Sequence, residues 1–507
     1  MRTKFRLSST ILVLLIAFFP YFLGWATQGN FIFSGLLFNP QDGFSYLAKM
    51  RQGWDGSWGF TLPYTASPGE PVPLFLFYLF LGHLAKAFHL PLPIMYNIAR
   101  FLSSAFLLYM LGDFLDRMFG KQFQEARVLF WILALGGGMG WLVVLMTGFL
   151  TGDFWVAEAY PFLSIFATPH FSLGLALILL GDKVSTLPLR ATNGLALSLL
   201  SVLLALIQPF GVVILGLWVG VRFLVSVLYR KEWQMGVRML QILPGALILL
   251  WQFWIIASHP VLRLWNNQNV TEALPLWDLI LSLSPVIFLA LVGGWKALRK
   301  KDIPFVILLG WMIGAILLTY TPFNLQRRFM TGIYIPVAVL GAYGISEWLE
   351  HNTVLKKWLW RGLLITSILT PLLVIFSSTV AVLQKDSLIY INSDEFRAIK
   401  WMDLNLPENS VVLASPRIGL ILPAWTDLRV VYGHPFETVN ASQSKALVER
   451  FFLGEMSSVE KAEFFHHYDV VYLFWSPGED LMAQGKDLFE GDLVYQTGKV
   501  RVFRIAK

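Results

Sequence analysis

The chain has 507 residues, of which 56% are hydrophobic and 14% are charged, whereas roughly a quarter of the residues in a soluble domain are charged. This composition excludes an ordinary soluble enzyme and requires several apolar segments that cross a membrane. Because the chain has no cysteine, disulfides, thiolate zinc sites and cysteine nucleophiles are excluded as well.

The net charge of +7 is distributed unevenly along the chain. Residues 1–384 contain 26 basic and 15 acidic side chains, whereas residues 385–507 contain 13 and 17. We therefore predict a basic membrane domain, residues 1–384, followed by a mildly acidic soluble domain, residues 385–507. Loop arginines and lysines that orient a membrane protein explain the basic charge, so no nucleic-acid partner is predicted.

Long apolar segments are candidates for membrane crossings. The first, residues 9–26, follows Arg2, Lys4 and Arg6, which predicts a cytoplasmic N-terminus. The others lie near residues 94–116, 128–149, 161–181, 191–206, 208–228, 239–258, 277–295, 303–320, 329–348 and 359–383. The sequence thus predicts a polytopic α-helical membrane protein with about 11 transmembrane helices.

The apolar stretch 71–90 also contains a polar stripe at helical spacing, formed by Gly82, His83, Lys86 and His89. If this helix lies flat in the membrane interface, 19 of the 26 basic residues of the membrane domain are cytoplasmic, whereas a crossing leaves only 8 there. The positive-inside rule favours the flat helix. The C-terminal domain and a loop with juxtamembrane helices at 40–90 are then external, in what we expect to be a bacterial cell membrane.

Strand and helix patterns alternate in the C-terminal domain. Strands are predicted at residues 410–414, 428–432 and 469–474, and helices are predicted at residues 395–404, 442–452 and 459–465. This alternation predicts a small external α/β domain.

The first external loop contains the sequence Asn39-Pro40-Gln41-Asp42, where a helix begins that continues through Tyr46 and Lys49. In one interpretation these residues form a capping box, with Asn39 as the N-cap and Asp42 at the third helical position. In the other, Asp42 is a general base placed where a lipid-borne substrate meets the membrane face. The two interpretations are compatible.

The second external loop, residues 150–160, contains Asp153 and Glu158, and His170 follows in the next apolar segment. The two acids are five residues apart and do not share a helix face, so they need not act as a pair. A bound divalent metal is one alternative here. Solvated acids and a hydrogen-bonded packing histidine are the other.

Four glycines lie within residues 136–140, inside a predicted crossing. Because no strand precedes them and no soluble helix follows, a kink or tight helix packing is predicted rather than a phosphate-binding loop.

Gln326, Arg327 and Arg328 lie on the predicted external side at a helix start, where the positive-inside rule disfavours arginine. An anionic group should therefore compensate the two arginines. Acids of the C-terminal domain and lipid head groups are two candidates. A phosphate or diphosphate is the third, since a guanidinium group binds phosphate oxygens in bidentate geometry.

With these features the chain resembles the GT-C type glycosyltransferases, the polytopic class that includes protein O-mannosyltransferases and lipid A aminoarabinose transferases. The resemblance rests on an aspartate soon after the first crossing, an acidic second external loop and arginines in a late external loop. Flat juxtamembrane helices and an external C-terminal domain complete it. The residues concerned are Asp42, Asp153, Glu158, Arg327 and Arg328.

The resemblance implies transfer of a sugar from a polyprenyl-phosphate donor to a lipid, glycan or protein acceptor at the external face. Asp42 would be the general base, and Glu158 or Asp153 would orient the acceptor or a metal. Arg327 and Arg328 would hold the donor phosphate as it leaves.

Gln326, beside the arginines, would bind the donor phosphate with them. Tyr46, Lys49 and His170 would contact substrate or support the structure. The resemblance implies no cofactor beyond a divalent metal, and membrane lipids are further partners.

A transporter or flippase of lipid-linked or anionic solutes is the alternative function. It predicts inverted repeats and broken helices with polar sites at the bilayer midplane, and the sequence contains no visible repeat. A third class, a membrane scaffold without enzymatic activity, leaves Asp42 and the arginine pair unexplained.

Overall fold

The structure is a computed structural model that describes residues 3–120, 125–486 and 488–505. Arg2 and Lys121, which contribute to the predicted charge sidedness, lie outside the described residues. The α-helices in chain order are α1 (Thr3–Ala26), α2 (Pro40–Asp55), α3 (Leu76–Ala87), α4 (Leu92–Phe119), α5 (Ala126–Leu135), α6 (Gly140–Thr147), α7 (Gly152–Trp155), α8 (Pro161–Ala167), α9 (Pro169–Ser185), α10 (Ala191–Ile207), α11 (Pro209–Arg230), α12 (Val237–Ser258), α13 (Pro260–Gln268), α14 (Leu276–Leu283), α15 (Val286–Lys300), α16 (Ile303–Thr319), α17 (Tyr334–Trp348), α18 (Thr353–Leu383), α19 (Ser393–Asn405), α20 (Pro416–Ile421), α21 (Ala441–Phe452), α22 (Ser458–His467) and α23 (Pro477–Ala483).

The strands are shorter and lie mostly in the C-terminal part. They are β1 (Phe31–Phe33), β2 (Tyr390–Asn392), β3 (Val411–Leu413), β4 (Arg429–Val430), β5 (Val470–Trp475), β6 (Gly491–Thr497) and β7 (Val500–Ile505). Short 3₁₀ helices occupy Trp233–Gly236, Gln326–Met330 and Leu422–Ala424.

Long apolar helices make the chain an integral, multi-pass membrane protein. Within the described residues, six helices are long and apolar enough to cross a membrane, or eight if each of two bent pairs forms one span. The six are Lys4–Ala26, Leu92–Phe119, Pro209–Arg230, Trp233–Ser258, Gln326–Trp348 and Thr353–Leu383, and the bent pairs are α5 with α6 and α14 with α15.

The other three of the eleven predicted crossings fall on shorter helices. Residues 161–181 are divided between α8 and α9, whereas α10 and α16 have 17 residues each. A helix of 17 residues is about 26 Å long, at the lower limit for a crossing. The figure of eleven therefore stays a prediction, as does the orientation.

The stretch 71–90, predicted not to cross, contains the helix α3. This helix has 12 residues and is about 18 Å long, too short for a hydrocarbon core of about 30 Å. Its length therefore agrees with a segment that stays on one side of the membrane.

The chain divides into two compact units. The first comprises Met1–Pro20, Ile98–Trp251 and Thr271–Thr379, and the second comprises Tyr21–Asn97, Gln252–Val270 and Val380–Lys507. The division does not follow the chain order, because the second unit combines the first long loop with the C-terminal part. We describe each unit by itself.

In the first unit, α17 is almost completely buried. It packs against α15 at Gly293 and Gly344, where the two backbones touch and any added side chain would collide with the other helix. Small residues permit such close approach between membrane helices.

The glycine-rich segment 136–140 lies at a break between α5 and α6, which are bent by 43°. This confirms the predicted kink. At Gly138 a side chain would collide with the backbone carbonyl of Ser282, so the break requires glycine there.

The second unit contains a five-stranded sheet with the order β4-β3-β5-β7-β6. The strands β4, β3 and β5 are parallel, and β7 and β6 complete the sheet as an antiparallel hairpin. Helices α21 and α22 cover the sheet with an apolar core that includes Val448, Phe451 and Phe464. The predicted α/β character of the C-terminal part is confirmed.

A separate two-stranded ladder lies in the same unit. The strand β1 of the first loop pairs antiparallel with β2, so that Phe31, Ile32 and Phe33 face Asn392, Ile391 and Tyr390. The first loop and the C-terminal part are therefore joined by backbone hydrogen bonds within this unit.

Candidate functional site

Asp42 lies in the first turn of α2, in the second unit. The helix begins there because Asn39 adopts the left-handed conformation, with φ of 43°, and Pro40 supplies a fixed φ at the first helical position. The Asn39 side chain accepts no hydrogen bond from the helix backbone. The predicted capping box is therefore not formed, although Asn39 is the N-cap.

Two side chains approach the two oxygens of the Asp42 carboxylate. The Asn39 side-chain amide donates a hydrogen bond of 2.6 Å to Oδ2. On the other side, His434 Nε2 lies 3.4 Å from Oδ1. The Asp42 side chain nevertheless remains 37% exposed, so a carboxylate with a defined orientation is still accessible.

His434 is almost completely buried and belongs to a turn that follows β4. Its Nδ1 accepts hydrogen bonds from the backbone N–H groups of Phe436 and Glu437, each at 3.1 Å. Because Nδ1 is an acceptor, the neutral imidazole carries its proton on Nε2, the atom nearest to Asp42.

Glu437 lies three residues after His434 and binds the part of α2 that follows Asp42. Its Oε1 accepts a hydrogen bond of 2.6 Å from the Ser45 hydroxyl and lies 2.6 Å from Lys49 Nζ. Burial alone would raise the pKa of Glu437, but the Lys49 charge and the hydrogen bonds lower the pKa below its usual range. Lys49, predicted as a substrate or structural residue, is completely buried in this ion pair.

Tyr46, also predicted as a substrate or structural residue, forms an aromatic stack. Its ring is nearly parallel to that of Tyr78, with the centroids 4.5 Å apart. Tyr78 in turn stacks on Tyr96. This row of rings gives α2 and α3 a shared apolar surface.

The arginine pair lies in the first unit, on the 3₁₀ helix Gln326–Met330. Glu158 Oε1 is 3.1 Å from Arg328 and 4.0 Å from Arg327, and the Glu158 side chain is only 3% exposed. Arg327 also lies over the Trp155 ring, 4.6 Å from its centroid. A buried acid of the second predicted loop therefore compensates part of the arginine charge.

Two guanidinium groups share the one carboxylate of Glu158 here. The Arg327 and Arg328 side chains remain 22% and 27% exposed, whereas the carboxylate between them is buried. The exposed N–H groups of the two arginines can donate hydrogen bonds to an anion, while the buried carboxylate holds the guanidinium groups in place.

Gln326 holds the loop that carries the arginines. Its side-chain oxygen accepts a hydrogen bond of 3.0 Å from the backbone N–H of Ala273, and its amide donates to the Thr321 carbonyl at 2.7 Å. Both ends of the amide are engaged with backbone, which is typical of a structural residue.

Asp153 is also engaged with backbone, at the break between α5 and α6. Its Oδ2 accepts hydrogen bonds from the N–H groups of Gly138 and Gly140, and its Oδ1 accepts one from the Thr151 hydroxyl. Burial raises the pKa of the Asp153 carboxyl, while these hydrogen bonds oppose the rise. Asp153 therefore stabilises the break between the two helices by accepting backbone N–H groups that have no partner within a helix.

His170 lies in the first turn of α9 and contacts the ring of Phe171. Among the described residues, no group of three or more histidine, aspartate or glutamate side chains is arranged to hold a metal ion. The metal suggested for the second loop therefore has no ligand set in the part of the chain that the structure describes.

The predicted site residues are distributed over both units. Asp42, Tyr46 and Lys49 lie in the second unit, and Asp153, Glu158, His170, Gln326, Arg327 and Arg328 lie in the first. The sequence offers acids of the C-terminal domain, lipid head groups or a phosphate as partners of the arginines, and Glu158 is not among these candidates. The sequence prediction also missed His434 and Glu437, whose only local signal is a Gly-His-Pro turn directly after a strand.

Comparison by sequence gives no relative: no family model matches the chain, and no curated protein matches it either.

Comparison by structure gives matches to membrane glycosyltransferases. The oligosaccharyltransferase of Archaeoglobus fulgidus, tethered to an acceptor peptide, matches with a TM-score of 0.57 and 13% identity over 100% of this chain and 74% of its own. ArnT from Cupriavidus metallidurans, bound to undecaprenyl phosphate, matches with a TM-score of 0.52 and 12% identity over 98% of both chains. The mycobacterial arabinofuranosyltransferase AftD matches with a TM-score of 0.52 and 14% identity over 100% of this chain and 40% of its own.

These three proteins share the GT-C architecture, and the match to ArnT extends over nearly the full length of both chains. At 12–14% identity such likeness defines the fold. The chain therefore has the fold of the GT-C membrane glycosyltransferases, as its sequence predicts.

Proposed function

We propose that the protein transfers a sugar from a polyprenyl-phosphate donor to an acceptor, with Asp42 as the general base. The observation that carries the proposal is the Asp42 carboxylate, which Asn39 and His434 flank while more than a third of the side chain stays exposed. A base needs this combination, because it must meet the acceptor hydroxyl in one orientation and still be reached by it.

The structural relatives support a lipid-linked donor. The structure of ArnT contains undecaprenyl phosphate, and an oligosaccharyltransferase structure contains dolichol-phosphate with an inhibitory peptide. Both lipids carry a phosphate at the head of a long isoprenoid chain. A donor of the same chemistry would bring its phosphate to the membrane surface of this protein.

Arg327 and Arg328 are the groups we assign to the donor phosphate. Both guanidinium groups are partly exposed, and each lies within 4.0 Å of the buried carboxylate of Glu158. These contacts support a role for Glu158 in orienting the arginines. Gln326 supports the loop that carries them, and Asp153 supports the break between α5 and α6.

The proposed reaction is a direct displacement at the anomeric carbon. The acceptor oxygen bonds to this carbon while the bond from the carbon to the phosphate oxygen breaks. The acceptor proton passes to Asp42, and the polyprenyl phosphate leaves with the bonding electrons. Positive charge near the phosphate stabilises the negative charge that grows on it. Attack from the opposite side inverts the anomeric configuration, which the product would reveal.

The test is an assay with purified protein and a panel of labelled polyprenyl-phosphate sugars. We expect one donor to release its lipid phosphate, and addition of the matching acceptor to increase the rate. Movement of the intact donor across a vesicle membrane, with no release of lipid phosphate from any donor, would contradict sugar transfer and favour the transporter.

A further inference from the structure

The buried His434 flanks Asp42 and has no assigned role of its own in the proposed reaction. Its Nε2 makes no hydrogen bond among the described residues and is shielded from solvent. Buried donors are nearly always hydrogen-bonded, since an unpaired donor loses its hydrogen bonds to water without replacement. Asp42 Oδ1 lies 3.4 Å from Nε2.

The tautomer of His434 is determined by its own turn. Nδ1 accepts two backbone N–H groups, so the proton of the neutral ring is on Nε2 and points to the side of Asp42. A contact of 3.4 Å is longer than an ordinary hydrogen bond. Catalytic hydrogen bonds are often long without substrate and shorten in the substrate complex.

The position of the ring is rigid because its turn is attached to α2 at a second point. Glu437, in the same turn, binds both Ser45 and the fully buried Lys49. Asp42, Ser45 and Lys49 follow one another at spacings of three and four residues, which places them on one face of the helix. The turn that contains His434 and Glu437 thus binds one face of α2. This contact places His434 next to Asp42.

We infer that His434 is a positioning residue for the base: its Nε2–H orients the Asp42 carboxylate for proton transfer from the acceptor. The inference rests on the proposed role of Asp42. It adds that the base is completed by a residue from the far end of the chain.

Two substitutions test the roles of the two imidazole nitrogen atoms separately. His434→Asn places an amide oxygen near the Nδ1 position, so it can retain the turn, but it has no donor near the Nε2 position. His434→Gln can place an amide N–H near the Nε2 position but loses the acceptor for the backbone N–H groups. His466→Gln, at an exposed histidine of α22, is the matched control.

We expect His434→Asn to lower kcat by at least about tenfold with little change in melting temperature, because the orientation of the base is lost. His434→Gln should retain more of the kcat but melt at a lower temperature. The donor KM should stay within about twofold in both variants, since His434 acts through Asp42. If His434 is purely structural, kcat should fall in parallel with melting temperature, so that His434→Gln loses more activity than His434→Asn. That result would overturn the inference.

A double-mutant cycle distinguishes this inference from the proposed function. In the Asp42→Asn background, His434→Asn should have no further effect on the rate, because its target is already removed. An inactive Asp42→Asn variant together with a fully active His434→Asn variant would overturn the positioning role alone. Full activity of Asp42→Asn would overturn both the base and its positioning residue.

Discussion

Asp42 and Asp55 lie at opposite ends of α2 and differ in their surroundings. Their side chains are 37% and 35% exposed, but Asp55 forms an ordinary helical ion pair with Arg51. We expect Asp42→Asn to lower the rate of sugar transfer by on the order of a hundredfold or more, the usual scale for the loss of a general base. The rate is measured with saturating donor, and melting temperature is recorded on the same sample.

Asp55→Asn is the matched control for this variant. It removes an acid of equal exposure from the same helix and should leave the rate within about twofold of wild type. A folded Asp42→Asn protein that turns over at nearly the normal rate would end the catalytic role of Asp42.

Arg327 and Arg328 are expected to act on donor affinity. Replacement of either by alanine should weaken binding of the polyprenyl-phosphate sugar, and replacement by lysine should restore only part of it. Lysine retains the charge but has no bidentate fork for phosphate oxygens. Affinity is measured by titration of labelled donor. Arg263→Ala, at an exposed arginine of α13, is the control. Equal donor affinity in wild type and both alanine variants would exclude the phosphate role.

At the scale of an element, the break between α5 and α6 depends on Asp153. Asp153→Ala leaves two buried N–H groups without an acceptor and should destabilise the protein by at least about 2 kcal/mol. Asp153→Asn should be mild, because the amide oxygen accepts the same N–H groups and the amide nitrogen can donate to Thr151. The apparent melting temperature in detergent measures both effects.

The same pair of variants tests whether Asp153 takes part in chemistry. We expect Asp153→Asn to retain most of the transfer activity. A folded asparagine variant without activity would contradict the structural role and restore Asp153 as a catalytic candidate.

Elements with a strong local pattern could be predicted from the sequence. The helices α2, α19, α21 and α22 and the strands β3 and β5 lie within a few residues of their predicted positions. The hairpin β6–β7 was missed, because β6 is an edge strand whose side chains are mostly exposed and show no buried face. Short helices such as α20 and α23, of six and seven residues, are below the length at which a periodic pattern is visible.

At the scale of the whole molecule, the predicted orientation can be tested with three fusions. Reporters after Leu90 and after Lys507 should be external, and a reporter after Gly120 should be cytoplasmic. Lys507 lies outside the described residues, and the expectation for it rests on the charge distribution of the sequence alone. A cytoplasmic reporter after Leu90 would mean that residues 71–90 cross, and a cytoplasmic C-terminus would make the predicted crossing number wrong.

The environment of Asp42 could not be predicted from the sequence for a physical reason. Charge and hydropathy are local quantities, and they indicated a boundary at residue 384. The second compact unit contains residues on both sides of that boundary, including Asp42 and His434. A single sequence has no signal for a contact between residues almost 400 positions apart, so the supporting residues of the base were found only in the structure.

The attachment of α2 to Glu437 also has a consequence for the time at which the protein becomes active. Ser45 and its partner are separated by 392 residues. At a synthesis rate of about 5–20 residues per second, Glu437 is made roughly 20 to 80 s after Ser45, and the contact cannot form earlier. The helices of the described residues that are long and apolar enough to cross a membrane end by Leu383, before Glu437 is made. A nascent or prematurely terminated chain can therefore insert these helices while α2 lacks its contact with Glu437. Under the proposed function, sugar transfer should therefore begin only after the ribosome has passed this turn, and incomplete chains should consume no donor.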